Sequence, residues 1–300
     1  MSRVVIVTGA GAGLGRAYAL DLAARGMSVV VNNRRREVCA DGLGSAERVA
    51  REITAAGGIA IPNEDDVRDV HSGERMVQQA LEAFGRLDAF VSNAGVDQAR
   101  TFHKISLDAF REIFDINFYG ALYGVHAAYA HMREKGHGRI VVSTSSAGLH
   151  GLHGLSAYAS SKAALIGLMQ SVAMEGQSRD VFCNAVAPYA STRMTESHAD
   201  PHFIEAMRPE YVSPLVAMLV AADCKVNGQT IVAGGGYFRR AAMVEGSGAA
   251  YPVGADVTPE MLQEDAAELQ SLDGALAFTD AMSAFNQFSE RAALARKGSE

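Results

Sequence analysis

Short apolar runs alternate with segments whose apolar residues recur every three to four positions, from residue 4 to about residue 240. The first run, Val-Val-Ile-Val at 4–7, is unbroken, which suits a strand buried on both faces of a parallel sheet. A helical pattern follows over 16–25 and ends at Gly26; residues 29–32 read as the second strand. Residues 45–56 are amphipathic, with Ala46, Val49, Ala50 and Ile53 on one stripe, and Gly57-Gly58 stop them. A third strand at 59–61 precedes the stripe Met76, Val77, Ala80, Leu81 and Phe84, which Gly85 caps. Strands at 87–92, 139–143, 181–187 and 230–233, with a long helical stretch over 107–135, bring the expected total to about seven strands. That alternation predicts an α/β fold, a doubly wound parallel sheet of Rossmann type with helices on both faces. Residues 1–240 make one domain of this reading, the one that holds the sheet. Beyond them, 246–254 are loop-like and 258–296 read as a polar helical tail. The extension 241–300 is expected to pack on the same domain or on a partner subunit.

In such sheets ligands bind outside the carboxyl ends of the strands. The glycine loop after the first strand, Asn33, Asp66, Asn93, Ser145 and Pro188 all fall at predicted strand ends, so distant residues converge on one edge. The loop at 8–15 reads Thr-Gly-Ala-Gly-Ala-Gly-Leu-Gly between a strand and a helix. Gly9 permits a sharp turn, while Gly11, Gly13, Leu14 and Gly15 complete a loop where a pyrophosphate can approach the helix N-terminus. At the end of the second strand stand Asn33 and Arg34, where an acid would bond a ribose 2′-hydroxyl and repel a 2′-phosphate. Asn33 removes that repulsion and Arg34 offers phosphate a partner, so NADP is the preferred cofactor of this reading, with NAD the alternative.

Tyr158 and Lys162 stand four residues apart, on one face of a helix if the segment is helical. A nearby ammonium favours the phenolate and brings the hydroxyl closer to proton transfer at neutral pH. Taken alone, Tyr-x-x-x-Lys is an ordinary helix surface; its neighbours give it meaning. Composition narrows the partners. A net charge of −7 leaves no basic face for nucleic acid, and Arg34-Arg35-Arg36 is the only concentrated basic run. Three cysteines, Cys39, Cys183 and Cys224, lack metal-ligand spacing, so reduced thiols and no metal are expected. No run approaches the roughly 20 residues of a membrane span, and neither a signal peptide nor a closing targeting tripeptide is evident, which makes the cytoplasm the expected compartment.

These residues together resemble the short-chain dehydrogenase/reductase family. The likeness rests on the T-G-x-x-x-G-x-G loop, Asp66-Val67, Asn93-Ala94-Gly95, Asn117, Ser145, Tyr158 and Lys162, and covers roughly residues 3–240. Finer matches include 13–20, 173–176, 191–195 and 209–215. They are similar to the (3R)-hydroxyacyl-CoA dehydrogenase domain of peroxisomal multifunctional enzyme type 2 and its bacterial single-domain relatives. That subgroup typically carries an acid where Asn33 stands, and the peroxisomal enzyme continues into hydratase and carrier domains.

The resemblance implies reversible hydride transfer between a nicotinamide and a secondary alcohol or ketone. Tyr158 would be the general acid/base and Lys162 would lower its pKa and bond the nicotinamide ribose. Ser145 would steady the substrate oxygen, and Asn117 would hold a proton relay to solvent. Asp66 and Val67 would hold the adenine, Asn93, Ala94 and Gly95 would line the adenine ribose side, and Pro188 and Thr192 would cover the nicotinamide end. His150, His153, Tyr189 and Met194 stand where a substrate loop belongs, and 189–210 read as a lid. The expected substrate is an acyl-CoA thioester of the 3-hydroxyacyl/3-oxoacyl type. The alternative is a hydroxysteroid or other bulky ketone, and a dinucleotide-binding regulator without catalysis is disfavoured because all four catalytic residues are present. A homodimer or homotetramer is the expected assembly.

Overall fold

The computed structural model describes residues 2–34, 42–191, 205–252 and 254–297. Its strands are β1 (Val4–Val7), β2 (Ser28–Asn32), β3 (Ile59–Asn63), β4 (Ala89–Ser92), β5 (Gly138–Ser143), β6 (Val181–Pro188), β7 (Thr230–Gly234) and β8 (Tyr237–Ala241). They form one sheet in the order β3-β2-β1-β4-β5-β6-β7-β8. Strands β1 to β7 pair in parallel, with Ile6 beside Val30 on one side and Phe90 on the other. The order reverses at β1 and β4, so the loops leaving these two strands diverge and open a crevice at their carboxyl ends.

The pleat of β1 sends alternate residues to opposite faces. Val5 and Val7 join Val29, Val31, Val91, Tyr18 and Leu22 in one buried cluster. Val4 and Ile6 join Val30, Phe90, Ile140, Met76 and Leu165 in the other. Helices α1 (Gly13–Ala24) and α2 (Ser45–Ala55) supply the first layer. The second comes from α3 (Ser72–Phe84), α5 (Gly120–Lys135) and α7 (Ser156–Gly176).

Three features depart from the sequence reading. An eighth strand, β8, follows a two-residue Gly235-Gly236 turn whose φ values of 56° and 76° suit a tight hairpin. The stretch 107–135 is not one helix: α4 (Leu107–Phe114) passes through a π turn, Asp115–Tyr119, before α5 begins. A short helix α6 (Ser146–His150) follows β5 directly, and α8 (Ser213–Leu219) precedes β7.

By compactness the chain divides into Met1–Arg240 and Ala241–Glu300. The second unit contains α9 (Pro259–Glu264), α10 (Ala266–Gln270) and α11 (Ala281–Lys297). Thr258 caps α9, accepting from the Met261 N–H at 3.4 Å, and Asp280 caps α11, its carboxylate accepting from the Ser283 N–H at 2.8 Å. None of the residues described in this unit is fully buried, whereas the first unit holds the buried core. No helix among the described residues is long and apolar enough to cross a membrane.

Candidate active site

The glycine loop and the β4 end are tied by one hydroxyl. Thr8 Oγ1 accepts from the backbone N–H of Asn93 at 3.0 Å and from that of Ala94 at 3.1 Å. Asn93 returns a bond from Nδ2 to the Thr8 carbonyl at 3.2 Å. Gly9 stands in the left-handed region at φ +64°, and a Cβ there would lie 2.7 Å from the Ala94 Cα. A Cβ on Gly15 would collide with the Gly9 carbonyl, so this crossing of loop and helix requires glycine at both positions. Gly13, at φ +54°, opens α1, which carries neither a side-chain cap nor an acid in its first turn. Its leading N–H groups are thereby left for an anion, and the loop, with Gly11 and Leu14 in it, fits the pyrophosphate of a dinucleotide.

At the end of β2, Asn33 donates from Nδ2 to the Ser45 hydroxyl at 2.6 Å, and Arg34 pairs with Asp66 at 3.3 Å. Arg68 also holds the Asp66 carboxylate, at 2.6 Å, and Val67 beside it is buried. Pro188 ends β6, after which the Tyr189 N–H donates to the Ala233 carbonyl at 2.7 Å. Arg35, Arg36, Cys39, Thr192 and Met194 lie outside the described residues.

Tyr158 and Lys162 occupy the first two turns of α7. Lys162 is buried, and its Nζ donates to the Ser143 carbonyl at 2.7 Å while Thr144 Oγ1 donates to the Lys162 carbonyl at 2.7 Å. Burial lowers the Lys162 pKa to about 8. The ammonium stands 5.8 Å from the centre of the Tyr158 ring. Tyr158 itself is pushed above its ordinary value by burial; a hydrogen bond with Ser145 pulls it down and the Asp97 carboxylate pushes it up. The expected fall in the tyrosine pKa is therefore not what the protein alone produces. The lysine meant to cause it is desolvated and turned to a backbone carbonyl, and removal of the phenol from water is the largest influence on the tyrosine.

Ser145 caps α6, its Oγ accepting from the Ala147 N–H at 3.1 Å, which fixes the hydroxyl close to Tyr158. Asn117 lies in the π turn and is fully buried. Its Oδ1 accepts from the Val96 N–H at 2.8 Å, and its Nδ2 donates to the Val96 carbonyl at 2.9 Å and to Ser161 Oγ at 3.0 Å. A Cβ on Gly95 would lie 3.2 Å from Asn117 Oδ1 and 3.3 Å from Lys162 Nζ, so those two groups converge on the Asn93-Ala94-Gly95 turn.

Sequence reasoning missed Thr8 as a two-bond acceptor, Ser161 as the link between Asn117 and α7, and Asp97 as a charge felt by Tyr158. Thr8 alone carried a visible signal, a hydroxyl at the last step from strand to glycine loop. A groove of about 510 Å³ lined by Pro214, Leu215, Met218, Ile231 and Phe238 belongs to α8 and the β8 edge, not to the residues around Tyr158.

Comparison with known proteins gives the chain a family. Residues 3–202 match the family model described as short chain dehydrogenase. A short-chain type dehydrogenase/reductase of Mycobacterium tuberculosis is 40% identical over 278 residues, covering 91% of this chain and 96% of that one. Peroxisomal multifunctional enzyme A of Dictyostelium discoideum is 39% identical over 273 residues, 90% of this chain and 60% of the relative. The full-length peroxisomal multifunctional enzyme type 2 of Drosophila melanogaster superposes with a TM-score of 0.85 at 30% identity, over 99% of this chain and 50% of that one. The chain thus spans only part of the length of these multifunctional relatives. It belongs to the short-chain dehydrogenase family and is an oxidoreductase of the class that binds a nicotinamide dinucleotide.

Proposed function

We propose that this chain interconverts a secondary alcohol and a ketone, with a 3-hydroxyacyl-CoA/3-oxoacyl-CoA pair as substrate. The observation that carries the reading is the Tyr158 phenol, close enough to Ser145 for the two to interact and one helical turn from a buried lysine. The dinucleotide, when bound, supplies the two-electron acceptor or donor. Gly9, Gly11, Gly13, Leu14 and Gly15 would hold its pyrophosphate, Asp66 and Val67 the adenine, and Asn93, Ala94, Gly95 and Pro188 would line the remainder, with Thr192 assigned there from the sequence alone. Asn33 and Arg34 support NADP over NAD, since position 33, at the end of β2, is not the acid that would repel a 2′-phosphate.

Tyr158 gives a proton to the ketone oxygen in reduction and takes one from the alcohol in oxidation. The phenol is neutral at pH 7, as an ordinary tyrosine is, and burial pushes its pKa further up, so it stands ready to donate. Ser145 donates to the same oxygen as negative charge develops there. Lys162 binds the nicotinamide ribose and exchanges the proton that Tyr158 loses or gains. Asn117 fixes the β4 turn against α7 through Val96 and Ser161. The working assembly is a homodimer or homotetramer.

The sequence likeness over 13–20, 173–176 and 209–215 supports the thioester substrate. A bulky free ketone is the second reading, favoured by Phe102 and Leu152, large apolar side chains left 76% and 60% exposed in the loops that follow β4 and β5. Cofactor oxidation followed with 3-oxoacyl-CoA thioesters and with a panel of free ketones separates the two. Turnover of thioesters well above ketones is expected; ketone-only turnover overturns the first reading. Tight dinucleotide binding without turnover of any substrate overturns both.

A further inference from the structure

The loops that follow β4 and β5 carry a charge balance unlike the rest of the chain. Acids outnumber lysines and arginines by 34 to 27 overall. Over residues 93–106 and 144–156, however, Asp97 is the one acid, against Arg100 and Lys104, with His103, His150 and His153 outside that count. The fold joins the two loops at Arg100. Its N–H donates to the Gly154 carbonyl at 2.8 Å, and its backbone bridges to Leu155, the residue before α7 and three positions ahead of Tyr158. Arg100 is thus anchored by its main chain beside the reacting tyrosine's helix.

Its side chain is differently placed. The guanidinium is exposed and bonds only the neighbouring Ala99 carbonyl, at 3.0 Å, and no carboxylate among the described residues pairs with it. Several other arginines of this domain, Arg16, Arg51, Arg68, Arg75 and Arg86, are each paired with an acid, while Arg133 bonds the Tyr129 hydroxyl and the Glu175 carbonyl and Arg208 the Tyr211 hydroxyl. An arginine with a fixed backbone, a free fork of donors and a site at the carboxyl edge suits a phosphate better than a structural role.

We propose that Arg100 is a specificity-determining residue that takes a phosphate group on the tail of the substrate. The proposal rests on the thioester reading above. The phosphate can be that of the pantetheine arm or one of those on the adenosine of coenzyme A, and the choice of substrates distinguishes them. Steady-state kinetics would be measured with one 3-oxoacyl group carried on coenzyme A, on 4′-phosphopantetheine and on N-acetylcysteamine, which bears no phosphate. The proteins are wild type, Arg100→Gln and Arg100→Lys, each checked for fold by circular dichroism and for dinucleotide affinity.

The expected result is a wild-type preference for coenzyme A over N-acetylcysteamine that falls about ten-fold in Arg100→Gln, through KM, and is partly kept in Arg100→Lys. A phosphopantetheine thioester that behaves like coenzyme A places the phosphate on the arm; one that behaves like N-acetylcysteamine places it on the adenosine. Either result supports the proposal. An unchanged ratio in Arg100→Gln, or a wild type that does not distinguish the carriers, overturns the role of Arg100 and leaves the thioester reading intact. Failure of wild type to turn over any of the three thioesters while it reduces free ketones overturns the thioester reading, and the proposal with it.

Discussion

Lys162 places its ammonium 2.7 Å from the Ser143 carbonyl oxygen, so a buried cation at the end of β5 is held by a main-chain dipole. Desolvation brings its pKa to about 8, from 10.5 in an exposed chain. Between these values the unfolded chain keeps a proton that the native lysine has released, so stability rises with pH there. Below about 8 both states hold the proton and the native state carries the full cost, ~3 kcal/mol at most. Wild type should therefore gain stability relative to Lys162→Met as pH rises from about 8 to 10.5. Urea unfolding of the cofactor-free proteins measures this; a difference that stays flat with pH contradicts the assignment. The comparison must be between variants because buried Cys183 and Tyr18, whose pKa values burial raises, lower stability in alkali in both proteins.

Tyr158→Phe removes the proton-transfer group and keeps the ring. Turnover should fall by at least about 10²-fold while dinucleotide affinity is preserved, as fluorescence titration would show. In wild type, alcohol oxidation should increase with pH, because burial keeps the phenol protonated past its ordinary range. Substantial turnover by the phenylalanine variant would remove Tyr158 from the chemistry.

The Arg34 guanidinium is already beside Asp66, at 3.3 Å, so it is positioned without needing a ligand to order it. Catalytic efficiency should be higher with NADPH than with NADH, and Arg34→Ala should shrink that ratio about ten-fold, the worth of one charge-assisted bond. A wild-type preference for NADH would refute the reading of Asn33 and Arg34.

Thr8→Val keeps the shape of a buried side chain but leaves the Asn93 and Ala94 N–H groups without their acceptor. A loss of ~2 kcal/mol is expected, with weaker dinucleotide binding, and Thr8→Ser should restore most of both. Equal stability of the valine variant and wild type in chemical denaturation would show that water replaces the hydroxyl at no cost.

The alternation of apolar runs and 3.6-period stripes made the parallel sheet legible, because a strand such as Val4–Val7 admits few other settings. The glycine loop was equally plain, since its residues are close in sequence and their geometry is local. What stayed hidden depends on distant parts of the chain. Arg139, the second residue of β5, would be read as exposed, yet it is fully buried, its guanidinium donating to the carbonyls of Gly138, Asp180 and Ala222. Strand β8 reads Tyr-Phe-Arg-Arg-Ala without apolar alternation, and it is the hairpin turn rather than side-chain pattern that returns it to the sheet edge. For the candidate site, positions at strand ends followed from the fold, whereas the direction of the Tyr158 shift did not. Burial sets that direction, and burial is a property of the packed protein.

The π turn at Asp115–Tyr119 has a consequence for the length of this segment. Each residue advances an α-helix by about 100°, and a π turn absorbs one extra residue without breaking the rod. Helix α4 can therefore face α7 while α5 faces α3, although the two run on as one rod. Deleting a single residue between 115 and 119 would turn this π turn into an ordinary α turn, leaving a continuous helix without the irregularity in which Asn117 sits. A shortened segment would keep its helix and lose the turn from which Asn117 reaches both Val96 and Ser161.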